Sequence, residues 1–343
     1  MTKALEGRTL QRPTREVLSF GSGRLSEALL KIKSGFVVVS QSGPLSALGE
    51  DALVRAGYVL DASSLDSTSL ERLVSAVPRG PTIVGIGGGV VMDSAKWLAF
   101  STGAPLILAP SILSVDACVT NTVAVRENGE VRYRGFVQAD QIILDFDLVR
   151  SAPERLNRAG VGDLLSIHTA LWDWKAGDRS GSAHFDDAVS RQATAILESA
   201  EAMAEAIHVV NDDALRAVLI GYANVNDLTV ACGHAQMEEG SEHYLAYFVE
   251  KLTGRSYVHG ELVTLGTILM SYLQDNEPLR IREIADRAGV EWTPVQLELS
   301  RQTLDDALVG FKEFAAQSNF PFSVVTEGDL GRGAIETLLD EVF

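Results

Sequence analysis

The sequence predicts an α/β domain built on a parallel sheet, followed by an all-α domain. Up to about residue 150, short apolar runs alternate with stretches of helical spacing, and after Pro153 the strand-like runs stop. The chain has 343 residues, which exceeds the length at which a single hydrophobic core usually keeps growing. We therefore predict two domains, residues 1–152 and residues 153–343.

The strands predicted in the first domain are apolar on both faces. They lack the alternation that marks a half-exposed sheet, and they cover residues 35–40, 57–62, 82–89, 105–111 and 141–146. Residues 44–56 and 68–77 have helical spacing and lie between strands, which predicts strand-helix-strand units and a parallel sheet. Residues 122–133 predict a separate hairpin, because Asn128-Gly129 is a strong turn signal.

The second domain is predicted to be helical throughout. Residues 154–274 are almost wholly helix-like, and residues 186–210 form one long amphipathic stretch. The tail, residues 278–343, continues with shorter helices.

Composition limits the possible partners. The chain carries 29 Lys+Arg against 46 Asp+Glu, a formal net charge of −17. Phosphate backbones and anionic lipid surfaces repel such a chain, so we expect neither a nucleic acid nor a membrane partner. The N-terminus has no apolar core segment of a secretion signal, and the two cysteines form no metal-binding or disulfide pattern. We expect a cytoplasmic protein.

A glycine-rich segment follows the third predicted strand. Residues 85–96 read GIGGGVVMDSAK, so a helix starts directly after the glycines. Such a helix presents free backbone N–H groups and its positive dipole end, and glycines let a pyrophosphate approach the backbone. The alternative is a tight turn with a surface ion pair between Asp93 and Lys96. The spacing departs from the usual dinucleotide fingerprint at Val90, where a small residue is expected.

Three polar residues stand out in the apolar helical half. Asp163, His243 and His259 each lie in a segment that is otherwise apolar. One carboxylate and two imidazoles would give a divalent cation an O,N,N ligand set with open positions, as catalytic metal sites have. The alternative for each histidine is a hydrogen-bonded core imidazole, and we keep that interpretation for His168, His184, His208 and His234.

Five motifs in order resemble the iron-containing alcohol dehydrogenase superfamily. They are GGGVVMDSAK, PSILSVDACVT, AGVGDLLS, GSEHYLAYFVE and VHGELV, and the resemblance spans roughly residues 80–275. The superfamily includes glycerol dehydrogenases, sn-glycerol-1-phosphate dehydrogenases and dehydroquinate-synthase-like cyclases. The segments AGVGDLLSIHTALWDWKAG and GSEH most resemble the glycerol-1-phosphate dehydrogenase branch. The resemblance implies a dehydroquinate synthase-like fold, with a Rossmann-like nucleotide-binding domain and a helical metal-binding domain.

The resemblance also implies roles for individual residues. The cofactor, NAD or NADP, would contact the residues Gly87, Gly88, Gly89, Val90, Asp93, Lys96, Ser111, Ser114 and Thr120. One divalent ion, Zn²⁺ or Fe²⁺, would be held by Asp163, His243 and His259. Asp116, Asp163 and Tyr247 are the predicted substrate contacts. The sequence identifies no general base; Asp116 acting through a water is one option. The implied reaction is hydride transfer between a small polyol, phosphorylated or not, and its ketone, in a homo-oligomer.

Two departures fall on the substrate side. The branch usually has a second, substrate-contacting histidine where this chain has Tyr247, and His-Asp-Gly where it has Val115-Asp116-Ala117. Candidate partners for a substrate phosphate are chosen by charge alone: Arg132, Arg134, Lys251 and Arg255. No acid ends the strand at residues 35–40, which leaves the choice between NAD and NADP open.

Two other functions remain to be distinguished. One is a cyclising lyase of the dehydroquinate synthase type, which would use NAD catalytically. Against it, the residues MEEGSEH, which end at His243, differ from the Asn-x-Gly-His-Thr pattern of those enzymes. The other is a non-catalytic nucleotide-binding protein, which would have no reason to keep Asp163, His243 and His259.

Overall fold

The computed structural model describes residues 2–33, 35–47, 54–77, 80–127, 130–327 and 330–343. The chain divides into two compact units. The first comprises Met1–Asn157 and Tyr222–His234, and the second comprises Arg158–Gly221 and Ala235–Phe343.

The first unit is built on a six-stranded parallel sheet. Its strands are β1 (Leu18–Gly21), β2 (Phe36–Ser40), β3 (Ala56–Asp61), β4 (Thr82–Gly87), β5 (Leu106–Pro110) and β8 (Gln141–Asp145). They lie in the order β1-β8-β5-β4-β2-β3. The predicted parallel sheet is confirmed. The chain moves from β2 to β3 on one side and then returns to β4 on the other, so the strand order reverses between β2 and β4.

The two edges of the sheet differ from the sequence prediction. Strand β3 was predicted to be buried on both faces, which is wrong: Tyr58 and Val59 are 48% and 47% exposed. The apolar run gave a wrong burial for β3, because among the described strands β3 pairs with β2 alone and lies at the edge of the sheet. Strand β1 was not predicted at all, and its four half-buried residues give no apolar run to recognise.

Helices and one hairpin accompany this sheet. The helices are α1 (Thr2–Leu5), α2 (Arg24–Lys31), α3 (Ser42–Ala47), α4 (Ser67–Ala76), α5 (Gly89–Thr102), α6 (Phe146–Arg150) and α7 (Glu154–Arg158). The hairpin pairs β6 (Thr122–Glu127) with β7 (Glu130–Phe136) in antiparallel fashion, as predicted. Its turn residues, Asn128 and Gly129, lie outside the described part of the chain, as do residues 48–53 of the helix predicted over 44–56.

Burial of the central strands explains the stability of this unit. All five residues of β2 are buried, and Val38, Val84 and Ile143 share one core cluster with Leu25 and Leu29 of α2. Burying each such side chain contributes about 1.5–3 kcal/mol. The core therefore fixes the central strands, and with them the segment that follows β4.

The second half of the chain is helical, as predicted. Its helices are α8 (Val161–Leu165), α9 (Ile167–Arg179), α10 (Asp187–Ala202), α11 (Ala204–His208), α12 (Asp212–Cys232), α13 (Ser241–Thr253), α14 (His259–Leu273), α15 (Pro278–Ala288), α16 (Arg301–Gln317), α17 (Val324–Glu327) and α18 (Arg332–Val342). The single helix predicted over 186–210 is wrong in one respect. It is interrupted at Met203, where α10 ends and α11 begins.

Helix α14 runs through the interior of the second unit. Twelve of its fifteen residues are buried, from Gly260 to Ser271. Within the described residues, no helix combines the length and the apolar character needed to cross a bilayer.

Candidate metal and nucleotide sites

Three helices of the second unit bring Asp163, His243 and His259 together. Asp163 lies on α8, His243 in the first turn of α13, and His259 is the first residue of α14. One ligand atom from each lies within 4.8 Å of the other two. Asp163 and His243 are 4% and 6% exposed, and His259 is half-buried. The ligand set expected from the sequence is therefore brought together at one place.

A close backbone approach sets the distance between α8 and α14. A Cβ atom on Gly162 would lie 2.1 Å from the carbonyl oxygen of Gly260, so only glycine fits there. Asp163 follows the first of these glycines and His259 precedes the second. The glycine contact thus holds Nε2 of His259 3.4 Å from Oδ1 of Asp163.

The donor set fits a divalent metal ion. With ligand bonds of about 2.1 Å and tetrahedral angles, two ligand atoms on one ion are separated by about 3.4 Å. The distance between Oδ1 of Asp163 and Nε2 of His259 has that value. One carboxylate and two imidazoles suit Zn²⁺ and Fe²⁺, and three protein ligands leave positions open for a substrate oxygen.

Electrostatics also favour a positive charge at this place. Burial lowers the pKa of His243, but the hydrogen bond with Glu242 and the charges of Glu242, Asp163 and Glu239 raise it by more, to about 9. The surrounding carboxylates therefore stabilise a cation on His243. The same negative potential would attract a divalent ion.

Sequence analysis missed Glu242. Its side chain is fully buried, and its Oε1 lies 2.9 Å from Nδ1 of His243. With Nδ1 engaged, Nε2 is the ring nitrogen left for an ion. Adjacent residues of a helix do not normally face each other, so sequence spacing gives no signal of this contact.

The glycine-rich segment of the first unit lies at the carboxyl end of β4. Strand β4 ends at Gly87, Gly88 is the N-cap residue, and α5 begins at Gly89 with no side chain capping its N–H groups. Val90 lies half-buried in that first turn. This end of β4 is next to the reversal of strand order between β2 and β4, where open α/β sheets bind their ligands. The expected geometry for a bound pyrophosphate is therefore present in the first unit.

The glycines are also required by packing. A Cβ atom on Gly87 would lie 2.6 Å from the side chain of Val91. One on Gly88 would lie 2.9 Å from Ile112, and one on Gly89 would lie 2.9 Å from Val115. The tight-turn explanation and the phosphate explanation are thus compatible. The structure supports a packing requirement directly, and the contact with a cofactor stays a prediction.

Asp93 and Lys96 form a buried ion pair. Their carboxylate and ammonium lie 2.8 Å apart with side chains 7% and 1% exposed, so the surface pair considered from the sequence is wrong. The Lys96 ammonium donates to the carbonyl oxygens of Thr120 and Thr122 and to Oγ1 of Thr120, and Asp93 accepts from the Ala124 N–H. These side chains hold the start of β6 against α5. A contact of either with the cofactor stays a prediction.

The segment after β5 carries the other predicted contacts of the cofactor and substrate. Ser111 follows β5 directly, and its N–H donates to the carbonyl oxygen of Gly87 at 2.9 Å. Ser114 is 8% exposed, and Asp116 is half-buried at the start of a short 3-10 turn, Asp116–Cys118. Ser111 is thus brought to the glycine segment, whereas Thr120 is engaged by Lys96.

Tyr247 lies one helical turn after His243, with the two ring centroids 6.2 Å apart. Its hydroxyl donates to Oε1 of Glu239 at 2.8 Å, and the Tyr244 hydroxyl donates to the carbonyl oxygen of the same residue. The Phe320 ring stacks on Tyr244 with a centroid distance of 4.2 Å. Tyr247 is therefore held in one orientation beside the three ligand residues. Its contact with substrate stays a prediction.

The four cations considered for a substrate phosphate each have another partner. Arg132 pairs with Glu130, Arg134 pairs through two nitrogens with Glu127, and Arg255 pairs with Glu298. The Lys251 ammonium lies 5.1 Å from the centroid of the Phe314 ring. These contacts account for the four side chains without a ligand.

Comparison with known proteins finds similar sequences over part of the chain. A family model described as iron-containing alcohol dehydrogenase matches residues 41–153. A glycerol-1-phosphate dehydrogenase [NAD(P)+] of Sulfolobus acidocaldarius is 31% identical over 230 residues, which cover 66% of this chain and 65% of that protein. The protein of the same name from Thermococcus kodakarensis is 26% identical over 66% of this chain and 64% of its own length. The match thus spans just under two thirds of these relatives.

Solved structures share the fold. The crystal structure of glycerol dehydrogenase from Schizosaccharomyces pombe aligns with a TM-score of 0.71 at 18% identity, covering 95% of this chain and 88% of that chain. An iron-containing alcohol dehydrogenase from Corynebacterium glutamicum aligns with a TM-score of 0.68 at 14% identity, covering 95% and 94%.

The chain therefore combines an α/β unit that carries a candidate nucleotide site with a helical unit that carries a candidate metal site. The chain is thus similar to iron-containing alcohol dehydrogenases over residues 41–153, and the sequence relatives described above carry the name glycerol-1-phosphate dehydrogenase.

Proposed function

We propose that this chain is a metal-dependent, NAD(P)-linked oxidoreductase that interconverts a small polyol and its ketone. The observation that carries the proposal is the convergence of Asp163, His243 and His259, whose ligand atoms lie within 4.8 Å of one another. A non-catalytic nucleotide-binding protein would have no use for this arrangement, since buried charged groups cost free energy.

The second unit supplies the metal ligands. Asp163, His243 and His259 would hold Zn²⁺ or Fe²⁺. A divalent ion bound there supplies Lewis-acid polarisation of an alcohol or carbonyl oxygen. Tyr247, fixed by Glu239, is the proposed contact for a further substrate hydroxyl.

The first unit supplies the nucleotide site. The N–H groups at the start of α5 would bind the pyrophosphate of NAD or NADP, with the glycines allowing close approach. Ser111 and Ser114 are the proposed neighbours of the rest of the cofactor. A bound NAD or NADP would supply the hydride chemistry that interconverts an alcohol and its ketone, while the protein contributes placement.

The substrate is proposed to be a small polyol, with glycerol 1-phosphate as one form because the sequence relatives bear that name. The ion pairs of Arg132, Arg134 and Arg255 lie at exposed or half-exposed positions, where such pairs contribute about 0–1 kcal/mol, so a phosphate could compete for them. Both phosphorylated and unphosphorylated ketones therefore belong in the test. A cytoplasmic location and a homo-oligomeric state complete the proposal.

The test is oxidation of NADH and NADPH with dihydroxyacetone, dihydroxyacetone phosphate and related ketones, in protein loaded with Zn²⁺ or Fe²⁺. Metal-dependent turnover that is lost in Asp163→Asn supports the proposal. Net consumption of NADH also excludes the cyclising lyase, because a lyase regenerates its NAD in every cycle. Protein that holds metal and nucleotide but consumes no NADH with any ketone would contradict the proposal and favour the lyase.

A further inference from the structure

Glu242 is a fully buried charged residue next to a proposed metal ligand, and none of the roles discussed above accounts for its burial. It lies in the first turn of α13, 0% exposed, beside His243. Burying a carboxylate costs several kcal/mol unless its oxygens accept hydrogen bonds. The position of these bonds therefore indicates what the residue does.

Both oxygens of Glu242 are occupied. Oε1 accepts from the Gly240 N–H at 2.6 Å and contacts Nδ1 of His243 at 2.9 Å, while Oε2 accepts from the Thr169 hydroxyl at 2.7 Å. Neighbouring helical side chains point about 100° apart, so the contact with His243 is not the default geometry. It arises because the Glu242 side chain folds back toward the start of its own helix, where Gly240 donates.

Two glycines make room for this arrangement. A Cβ atom on Gly240 would lie 3.0 Å from Oε2 of Glu242 and 2.9 Å from the Cα of Ala170. A Cβ atom on Gly266 of α14 would lie 2.6 Å from the carbonyl oxygen of Glu242. Both the side chain and the backbone of Glu242 are thus held in place by close packing.

A second buried carboxylate serves the same turn without touching His243. Oδ2 of Asp173 accepts from the Ser241 N–H at 2.8 Å and from the Ser241 hydroxyl at 2.5 Å. Asp173 and Ser241 therefore stabilise the start of α13, whereas Glu242 alone among these three residues contacts the imidazole of His243. This difference separates a helix-capping function from a function toward the histidine.

We infer that Glu242 is a positioning residue for His243. By accepting the Nδ1 proton, its carboxylate selects the tautomer in which Nε2 is free to bind a divalent ion, and it fixes the plane of the ring. A partner of this kind also raises the basicity of a ligating histidine. The inference rests on the metal site of the proposed function, but it concerns ion binding and not turnover.

The test compares Co²⁺ and Zn²⁺ affinity of metal-stripped wild type, Glu242→Gln and Ser241→Ala, by competition with a chromophoric chelator. Glutamine can keep contacts with Gly240, His243 and Thr169, so the fold is retained. Without the charge, its oxygen accepts the Nδ1 proton more weakly than a carboxylate does, so the hold on the tautomer and on the ring is weakened. We expect Glu242→Gln to weaken binding about 10- to 100-fold and to shift the visible absorption of bound Co²⁺. Ser241→Ala, which loses a bond in the same turn, should bind both ions like wild type.

Equal affinities in Glu242→Gln and wild type would overturn the inference, and so would an equal loss in Ser241→Ala, which would indicate helix capping only.

A second measurement uses wild type alone. Histidine ¹⁵N NMR of the Zn²⁺-loaded protein should show the His243 proton on Nδ1, and a proton on Nε2 would refute the assignment. Both readouts are independent of NADH turnover, so failure of the proposed reaction is distinguished from failure of this inference.

Discussion

Replacement of Gly162 by alanine tests whether the backbone contact between α8 and α14 creates the metal site. The added Cβ atom would lie 2.1 Å from the Gly260 carbonyl oxygen, whereas ordinary contact begins at 3.4 Å. The two helices must therefore separate by roughly 3.4 − 2.1 = 1.3 Å. Metal sites tolerate deviations of only about 0.2 Å in ligand distance. Asp163 and His259 flank this contact, so their ligand atoms would move apart.

The expected magnitude follows from the cost of restoring the contact. Overpacking of this kind costs about 1–3 kcal/mol, and binding an ion would have to impose that strain again. Since about 1.4 kcal/mol corresponds to tenfold in affinity, Gly162→Ala should weaken Co²⁺ or Zn²⁺ binding about 10- to 100-fold. The assay is chelator competition on metal-stripped protein, together with urea unfolding.

Gly333→Ala is the matched control. Gly333 lies in helix α18, and a Cβ atom there would meet nothing within 4 Å. This change should leave metal affinity unaltered and stabilise the helix by about 0.5–1 kcal/mol. A Gly162→Ala protein that binds metal as tightly as wild type would refute the proposed role of the glycine contact, whatever its stability.

Three further changes test other parts of the structure. Burial, together with the nearby charge of another carboxylate, raises the pKa of Asp173 to about 7 from 3.8. The contribution of this group to stability is therefore complete below pH 3.8 and is lost as the pH rises through 7. Urea unfolding of wild type relative to Asp173→Asn should show a loss of up to about 4 kcal/mol over that range, and a difference that does not change with pH would contradict this expectation. Lys96→Met leaves the buried carboxylate of Asp93 without its cation and should destabilise the fold by about 3–5 kcal/mol in urea unfolding. Adding Asp93→Asn should restore part of the lost stability. A change below about 1 kcal/mol would show that the ion pair is not needed for stability. Tyr247→Phe should raise the KM for the ketone while the melting temperature stays close to that of wild type. Tyr244→Phe removes the other tyrosine hydroxyl that donates to Glu239 and should leave KM unchanged. Equal KM values for both variants and wild type would contradict a substrate role of Tyr247.

The architecture of the chain could be predicted because its signals are local. Apolar runs without alternation mark β2, β4, β5 and β8, and helical spacing marks the second half. The order of the strands across the sheet depends on contacts between distant residues and cannot be read from a short segment. For this reason β3 was predicted to be buried, although Tyr58 and Val59 lie at the sheet edge. Strand β1 was missed because its burial depends on its single neighbour, β8.

The candidate metal ligands could be selected from sequence because polar side chains in apolar helices singled them out and the ordered motifs of the resemblance then assigned them to one ion. What sequence could not give is their supporting geometry. The contact of Gly162 with Gly260 joins residues 260 − 162 = 98 positions apart, and Glu242 contacts a neighbour that it would not normally face. The resemblance placed Lys96 at the cofactor, and its burial (1% exposed) and its ion pair with Asp93 were not predicted.

The most direct test of the central claim is the metal content of purified, reconstituted protein, measured by mass spectrometry for wild type and Asp163→Asn. We expect about one Zn²⁺ or Fe²⁺ per wild-type chain and a large loss of the ion in the variant, with both proteins folded. Folded wild type that retains no divalent ion, or a variant that retains as much as wild type, would contradict the assignment of Asp163, His243 and His259 as a metal site.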